Sequence, residues 1–181
     1  MQDFVTKEEI SSATNGQILA QDPRIPSLIT GACEGIRRYC GWHVTPEIQE
    51  TLTLDSHGGI WLKLPTLRVK EITELQIDGT VIPADSYTWS EKGMLRLKKG
   101  TFPDDYQCVK VSLKHGFETT TLKQVVTQVI INALASPLGV TREQAGSISV
   151  AWSSTAPGVS GGMSFLQRDL EILDSYRLEA F

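Results

Sequence analysis

The chain has 181 residues, enough for one ordinary domain or for a small domain carrying an insertion. Hydrophobic residues at 40% and charged residues at 21% describe a globular chain and exclude a disordered one, which needs fewer apolar side chains and more net charge. A formal net charge of -4 argues against a protein that grips nucleic acid by its phosphates, where a basic surplus is the rule.

Thr6-Lys7-Glu8-Glu9 has the form of a capping box, with Thr6 as cap and Glu9 reaching back. It predicts a short, mostly polar helix of about two turns ending near Asn15-Gly16. Asp22 can cap a second helix, with Pro23 in the first turn, where its missing N–H costs nothing. Ile25, Leu28, Ile29, Ala32, Ile36, Tyr39 and Cys40 then recur at three- and four-residue steps, predicting one buried face over 23–40 that ends at Gly41.

The rhythm then changes to alternation. Ile48, Leu52 and Leu54, then Ile60, Leu62 and Leu64, flank the turn-forming cluster Asp55–Gly59 and predict a hairpin. Strands at 70–77 and 80–82 are joined by Asp78-Gly79, a strong two-residue hairpin signal. Tyr87–Trp89 and Met94–Leu97 form another pair turning at Ser90–Gly93, and Val109, Val111 and Leu113 mark a last strand.

Helical spacing returns at Leu122, Val125, Val126, Val129, Ile130, Ala133 and Leu134, stopped by Pro137 and Gly139. Residues 147–152 read as a short strand, and 153–162 as a loop of small residues. Phe165, Leu166, Leu170, Leu173 and Tyr176 give a C-terminal helix with a narrow apolar seam.

The predicted fold class is α+β. A small frame of three to four helices, residues 1–42 and 118–181 with a mobile loop at 153–163, carries an inserted antiparallel β module at 43–117. Consecutive strands joined by tight turns argue against a parallel sheet with crossover helices.

Chemical motifs are weak. Gly158–Gly162 fits G-x-S-x-G, but His43, His57 and His115 all precede Ser160, whereas a nucleophile elbow needs its histidine later, after a preceding strand. His57-Gly58-Gly59 reads as a tight turn, not an oxyanion hole, because glycines supply positive φ. Cys33, Cys40 and His43 match no zinc spacing, and the odd set of three cysteines reads as small buried hydrophobes. No catalytic residue, cofactor or metal is predicted. Lys92, Arg96, Lys98 and Lys99 form one basic cluster, with Arg96 and Lys98 sharing a strand face opposite Leu95 and Leu97. It is a solvated outer face, or a patch that meets an acidic neighbour or a phosphate backbone. No apolar run approaches the roughly 20 residues that span a bilayer, and the opening MQDFVTKEE predicts no secretion signal.

The helix ending "GIRRYCGWHV", followed by "LDSHGGIWLKLPT", "ELQIDGTVI", "YTWSEKGMLRLKKGTFP" and "VSLKHGF", resembles the head-to-tail connector (adaptor) proteins of tailed bacteriophages, above all those of actinobacterial phages and prophages. The similarity runs over 5–178 and is strongest at Tyr39–Val44. None of these strings is a chemical motif, so their order carries the specificity.

The resemblance implies a virion protein made in the host cytoplasm and placed at the portal vertex, neither an enzyme nor a membrane protein. It implies a ring, usually twelvefold, below the portal protein. That ring extends the DNA channel and docks a stopper or tail-completion protein, and genomic DNA passes without sequence-specific binding. An acidic balance suits such a channel. The flexible join at 157–162, followed by an apolar segment with little to bury alone, makes Trp152, Phe165, Leu166, Leu170, Leu173, Tyr176 and Phe181 the candidate partner interface. Residues 163–181 would then dock on the portal or an adjacent subunit. Two rival readings are a binding module with a ligand groove near Trp61, Tyr87 and Trp89, and a hydrolase built on Ser160.

Overall fold

A computed structural model of the chain describes residues 3–135, 142–145, 148–151 and 165–179. Among these are four α-helices and nine strands. In chain order they are α1 (Lys7–Ala13), α2 (Ile25–Cys40), β1 (Ile48–His57), β2 (Trp61–Lys63), β3 (Val69–Ile77), β4 (Thr80–Val81), β5 (Tyr87–Trp89), β6 (Met94–Leu97), β7 (Asp104–His115), α3 (Thr120–Ala135), β8 (Arg142–Ala145), β9 (Ile148–Ala151) and α4 (Gln167–Asp174). The fold is α+β, with antiparallel sheets. Two compact units divide it, Met1–Cys40 with Thr119–Arg177, and Gly41–Glu118 with Leu178–Phe181.

In the helical unit the capping box forms as its residues require. The Glu9 N–H donates to Thr6 Oγ1 at 3.2 Å, and the Thr6 N–H donates to Glu9 Oε2 at 2.8 Å. Lys123 of α3 donates to the other Glu9 oxygen at 2.7 Å, and this bond is the main cause of a lowered Glu9 pKa. α2 begins at Ile25, the first residue of the apolar periodicity and two residues later than the Asp22-Pro23 start signal suggests. Asp22 accepts the Arg24 N–H at 2.9 Å and pairs with its guanidinium at 2.7 Å, so residues 22–24 form a turn ahead of the helix. Ile25, Ile29, Ala32, Ile36 and Cys40 bury one face of α2, joined by Cys33. α3 packs on α2 and contributes Leu122, Val125, Val126, Val129 and Ile130 to the core. Each such aliphatic side chain contributes about 1.5–3 kcal/mol when fully buried, so these rows dominate the unit's stability.

The β unit holds a four-stranded sheet in the order β1-β7-β3-β4 and a three-stranded sheet in the order β2-β6-β5. Both sheets feed one core, with Leu62, Leu95 and Leu97 from the smaller and Leu75, Val109, Val111 and Leu113 from the larger. The predicted hairpin across Asp55–Gly59 does not form. β1 runs straight through to His57, opposite Asp104 on β7, and β2 pairs with β6 in the other sheet. Gly58 and Gly59, at φ 74° and 80°, carry the chain from one sheet to the other. The Gly58 N–H donates to Pro103 O at 3.1 Å and the Phe102 N–H to Gly59 O at 2.7 Å, which fixes this crossing. The Asp78-Gly79 turn forms as predicted, with both residues at positive φ.

β8 and β9 pair as a separate two-stranded sheet in the helical unit. Only β9 carried a sequence signal, because the segment Arg142–Ala145 has no apolar alternation. The loop assigned to 153–163 lies outside the described residues.

Candidate interaction surfaces

α4 lies against α2 within the helical unit. Leu173 is fully buried, and its carbonyl accepts from Cys40 Sγ at 3.8 Å. Tyr39 donates its hydroxyl to Asp174 Oδ1 at 2.5 Å, and the Arg177 guanidinium lies 5.4 Å from the Tyr39 ring centroid. The ring of Phe165 rests where α2 has Gly35, so a Cβ at that position would sit 3.2 Å from it. The Leu166 N–H donates to the buried carboxylate of Asp169 at 2.9 Å and starts the helix. Of the candidate interface residues, Leu173 is therefore spent on the chain's own packing. Phe165, Leu166, Leu170 and Tyr176 are half-buried and keep an outward surface, while Trp152 and Phe181 lie outside the described residues.

A second feature has a periodic signal only on its α3 side, at Leu134. The loop from Ala13 to Arg24 and the end of α3 enclose a groove of about 1000 Å³, lined in part by Ile18, Leu19, Ile131 and Leu134. Thr14 shapes the loop, donating from Oγ1 to Ile10 O at 3.0 Å and accepting the Ile18 N–H at 3.2 Å. Leu19 is left 63% exposed on it. Isolated apolar residues in a polar loop have no spacing to read, which is why sequence reasoning passed over them.

The third surface is the outer face of the three-stranded sheet. Trp61, Arg96 and Thr88 are cross-strand neighbours there. The Arg96 guanidinium lies 5.1 Å from the Trp61 ring centroid, and Trp61 remains 52% exposed. Leu95 and Leu97 point inward and are buried, while Arg96 and Lys98 are exposed, as the alternation predicts. Trp89 pairs with Leu95 and so lies on the opposite face from Trp61, and Tyr87 is buried. The three aromatics do not line one groove.

One end of the four-stranded sheet is acidic. Asp55 accepts the Gln107 N–H at 2.7 Å and Asp105 accepts the Tyr106 N–H at 2.7 Å, around a register shift between Leu54 and Ser56. Gln107 takes φ 52°, and Tyr106 is pushed outward, 78% exposed. The bulge thus aims an aromatic side chain at solvent between carboxylates.

Among the described residues, the histidines and cysteines are not brought together into a reaction centre. His57 stands in solvent, 3.9 Å from Asp104. His115 is buried, with Nε2 2.8 Å from Glu50 Oε1. Cys33 accepts the Phe4 N–H at 3.3 Å, and burial raises its thiol pKa. Burial also pushes the Cys40 thiol up to about 11, which keeps it protonated and a poor nucleophile. Among the described residues no group of three His, Cys, Asp or Glu side chains could hold a metal ion, and no helix is long and apolar enough to cross a membrane. Ser160 lies outside the described residues.

Comparison with known proteins places this arrangement. The sequence matches the model of the family described as "Head completion protein" over residues 3–130, which take in α1, α2, β1–β7 and most of α3. A chain from the "Neck of native GTA particle computed with C12 symmetry" has a similar fold, with TM-score 0.59 and 14% identity, covering 99% of this chain and 96% of that one. The "Neck of empty GTA particle computed with C6 symmetry" gives TM-score 0.59 and 14% identity, covering 98% and 91%. The virion of the native gene transfer agent (GTA) particle gives 0.59 and 12%, again covering 98% and 91%. At these identities the likeness is one of fold. No curated protein matches the sequence. The family match covers well over half of the chain, and on it the chain belongs to the head completion protein family, with a structural role at the head–tail region of a phage-type particle.

Proposed function

We propose that the chain is the repeating subunit of a ring beneath the portal, which extends the DNA channel and offers a platform to a stopper or tail-completion protein. The match to the head completion family over residues 3–130 is the observation that carries this reading. The symmetries of the GTA neck structures, C12 and C6, support a closed ring for a chain of this fold. Twelve copies close the ring in this reading.

The role involves no bond making or breaking. Each subunit works through its surfaces, and the net negative charge of the chain suits a channel that DNA traverses without being retained. The outward sides of Phe165, Leu166, Leu170 and Tyr176, with Trp152 and Phe181, form the contact to the portal or to the next subunit. Leu173 holds α4 in place for it.

The test is genetic. Particles assembled without this chain should accumulate as DNA-packaged heads that lack tails, and supplying the protein to those heads should restore tail joining. Heads that join tails normally in its absence would refute the role.

A further inference from the structure

The net charge of -4 conceals a split within the β unit. Residues 60–68 and 83–100, which build the three-stranded sheet and its turns, carry six cations, Lys63, Arg68, Lys92, Arg96, Lys98 and Lys99, against only Asp85 and Glu91. Residues 41–57, 69–82 and 101–118, which build the four-stranded sheet, carry nine carboxylates against Lys70, Lys110 and Lys114. Arg68 pairs with Glu91. Among the described residues, Lys92, Arg96, Lys98 and Lys99 have no carboxylate partner. Each region also presents one strongly exposed aromatic ring, Trp61 on the basic sheet face and Tyr106 at the acidic strand end.

We propose that the outer face of the three-stranded sheet, Trp61 with Arg96 and Lys98, receives the acidic end of the four-stranded sheet, Tyr106 with Asp55, Asp104 and Asp105, from a second copy of this chain. The inference rests on the ring reading and names the contact that closes it. A head-to-tail ring needs two different, mutually complementary patches on every subunit, and a single chain here carries both. Opposite charges set register and partner choice across such a contact, and exposed aromatic residues are the side chains that anchor interfaces. Duplex DNA on the basic face would account for the cations alone. It would leave the acidic end, with its bulge and outward Tyr106, without a purpose.

Full-length protein tests this through charge reversal at exposed positions. One variant carries Arg96→Glu and Lys98→Glu, so that both its patches are acidic; the other carries Asp104→Lys and Asp105→Lys, so that both are basic. Circular dichroism checks that both fold. Sedimentation velocity and negative-stain microscopy, alone and with portal, then read assembly. Each variant by itself should associate about a hundredfold more weakly than wild type, because like charges now face each other. Mixed one to one, the two should regain rings in which they alternate. Rings formed as readily by either variant alone, or a mixture that stays unassembled while wild type forms rings, would overturn this contact and leave the ring itself standing. So would a basic-face variant that assembles normally but loses binding to duplex DNA, which would put DNA on that face. A wild-type chain that stays monomeric with and without portal would instead overturn the ring, and this contact with it.

Discussion

Replacing Gly35 by alanine probes whether the C-terminal segment is seated on α2. In a helix interior the change normally stabilises by about 1 kcal/mol, since glycine loses more conformational freedom on folding. Here the added Cβ would stand 3.2 Å from Cε2 and Cζ of Phe165. Carbon pairs prefer about 3.5–4.0 Å, so the ring must retreat by a few tenths of an ångström. Overpacking costs roughly 1–3 kcal/mol, and a half-buried ring that can tilt belongs at the low end of that range. The two effects offset each other, and Gly35→Ala should leave stability within about 0.5 kcal/mol of wild type. In a Phe165→Ala background nothing opposes the Cβ, and the same change should gain the full amount, about 1 kcal/mol. The coupling of about 1 kcal/mol is read from urea unfolding of the four proteins, followed by far-ultraviolet circular dichroism. A gain of about 1 kcal/mol in both backgrounds would show that Phe165 does not rest on Gly35, and would refute the seating of this segment.

Three further outcomes follow from the same geometry. Leu173→Ala, at a fully buried position, should cost about 2–5 kcal/mol by urea unfolding and loosen α4 from α2 in hydrogen exchange. Gly93→Ala should be far more costly than Gly100→Ala, although both sit at positive φ, because a Cβ at Gly93 would fall 2.3 Å from Thr66 O whereas Gly100 faces open space. Gly100→Ala should therefore lose only the conformational penalty of about 1–2 kcal/mol, and equal losses at the two sites would contradict the packing described. The Cys40 thiol is held protonated up to about 11 by burial, against 9.0 for a free thiol. Above pH 9 the unfolded chain releases a proton that the folded chain keeps, so stability that is full below pH 9 should fall as pH rises towards 11. Cys40→Ala should flatten that slope in pH-dependent urea titrations.

Local chemistry was legible wherever a few neighbouring residues decide the outcome. The Thr6–Glu9 box, the Asp78-Gly79 turn and the opposed faces of Leu95 and Arg96 all follow from positions close in sequence. Pairing between sheets was not legible. Asp55–Gly59 looks like a hairpin turn, yet β7 competes for β1 along its whole length, and a single alternating pattern cannot say which partner wins. The C-terminal seam was visible as spacing, but which of its residues turn inward depends on Gly35 leaving room on α2, a fact held far away in the chain. The acidic and basic patches were half legible. Lys92, Arg96, Lys98 and Lys99 cluster in sequence, whereas Asp55 meets Asp104 and Asp105 only through β1–β7 pairing.

The most direct measurement is cryo-electron microscopy of purified portal rings mixed with this protein. A closed ring of the chain stacked coaxially on the portal, with a continuous channel through both, is the predicted result. Bare portals beside unassembled protein, at concentrations well above those in an infected cell, would contradict it.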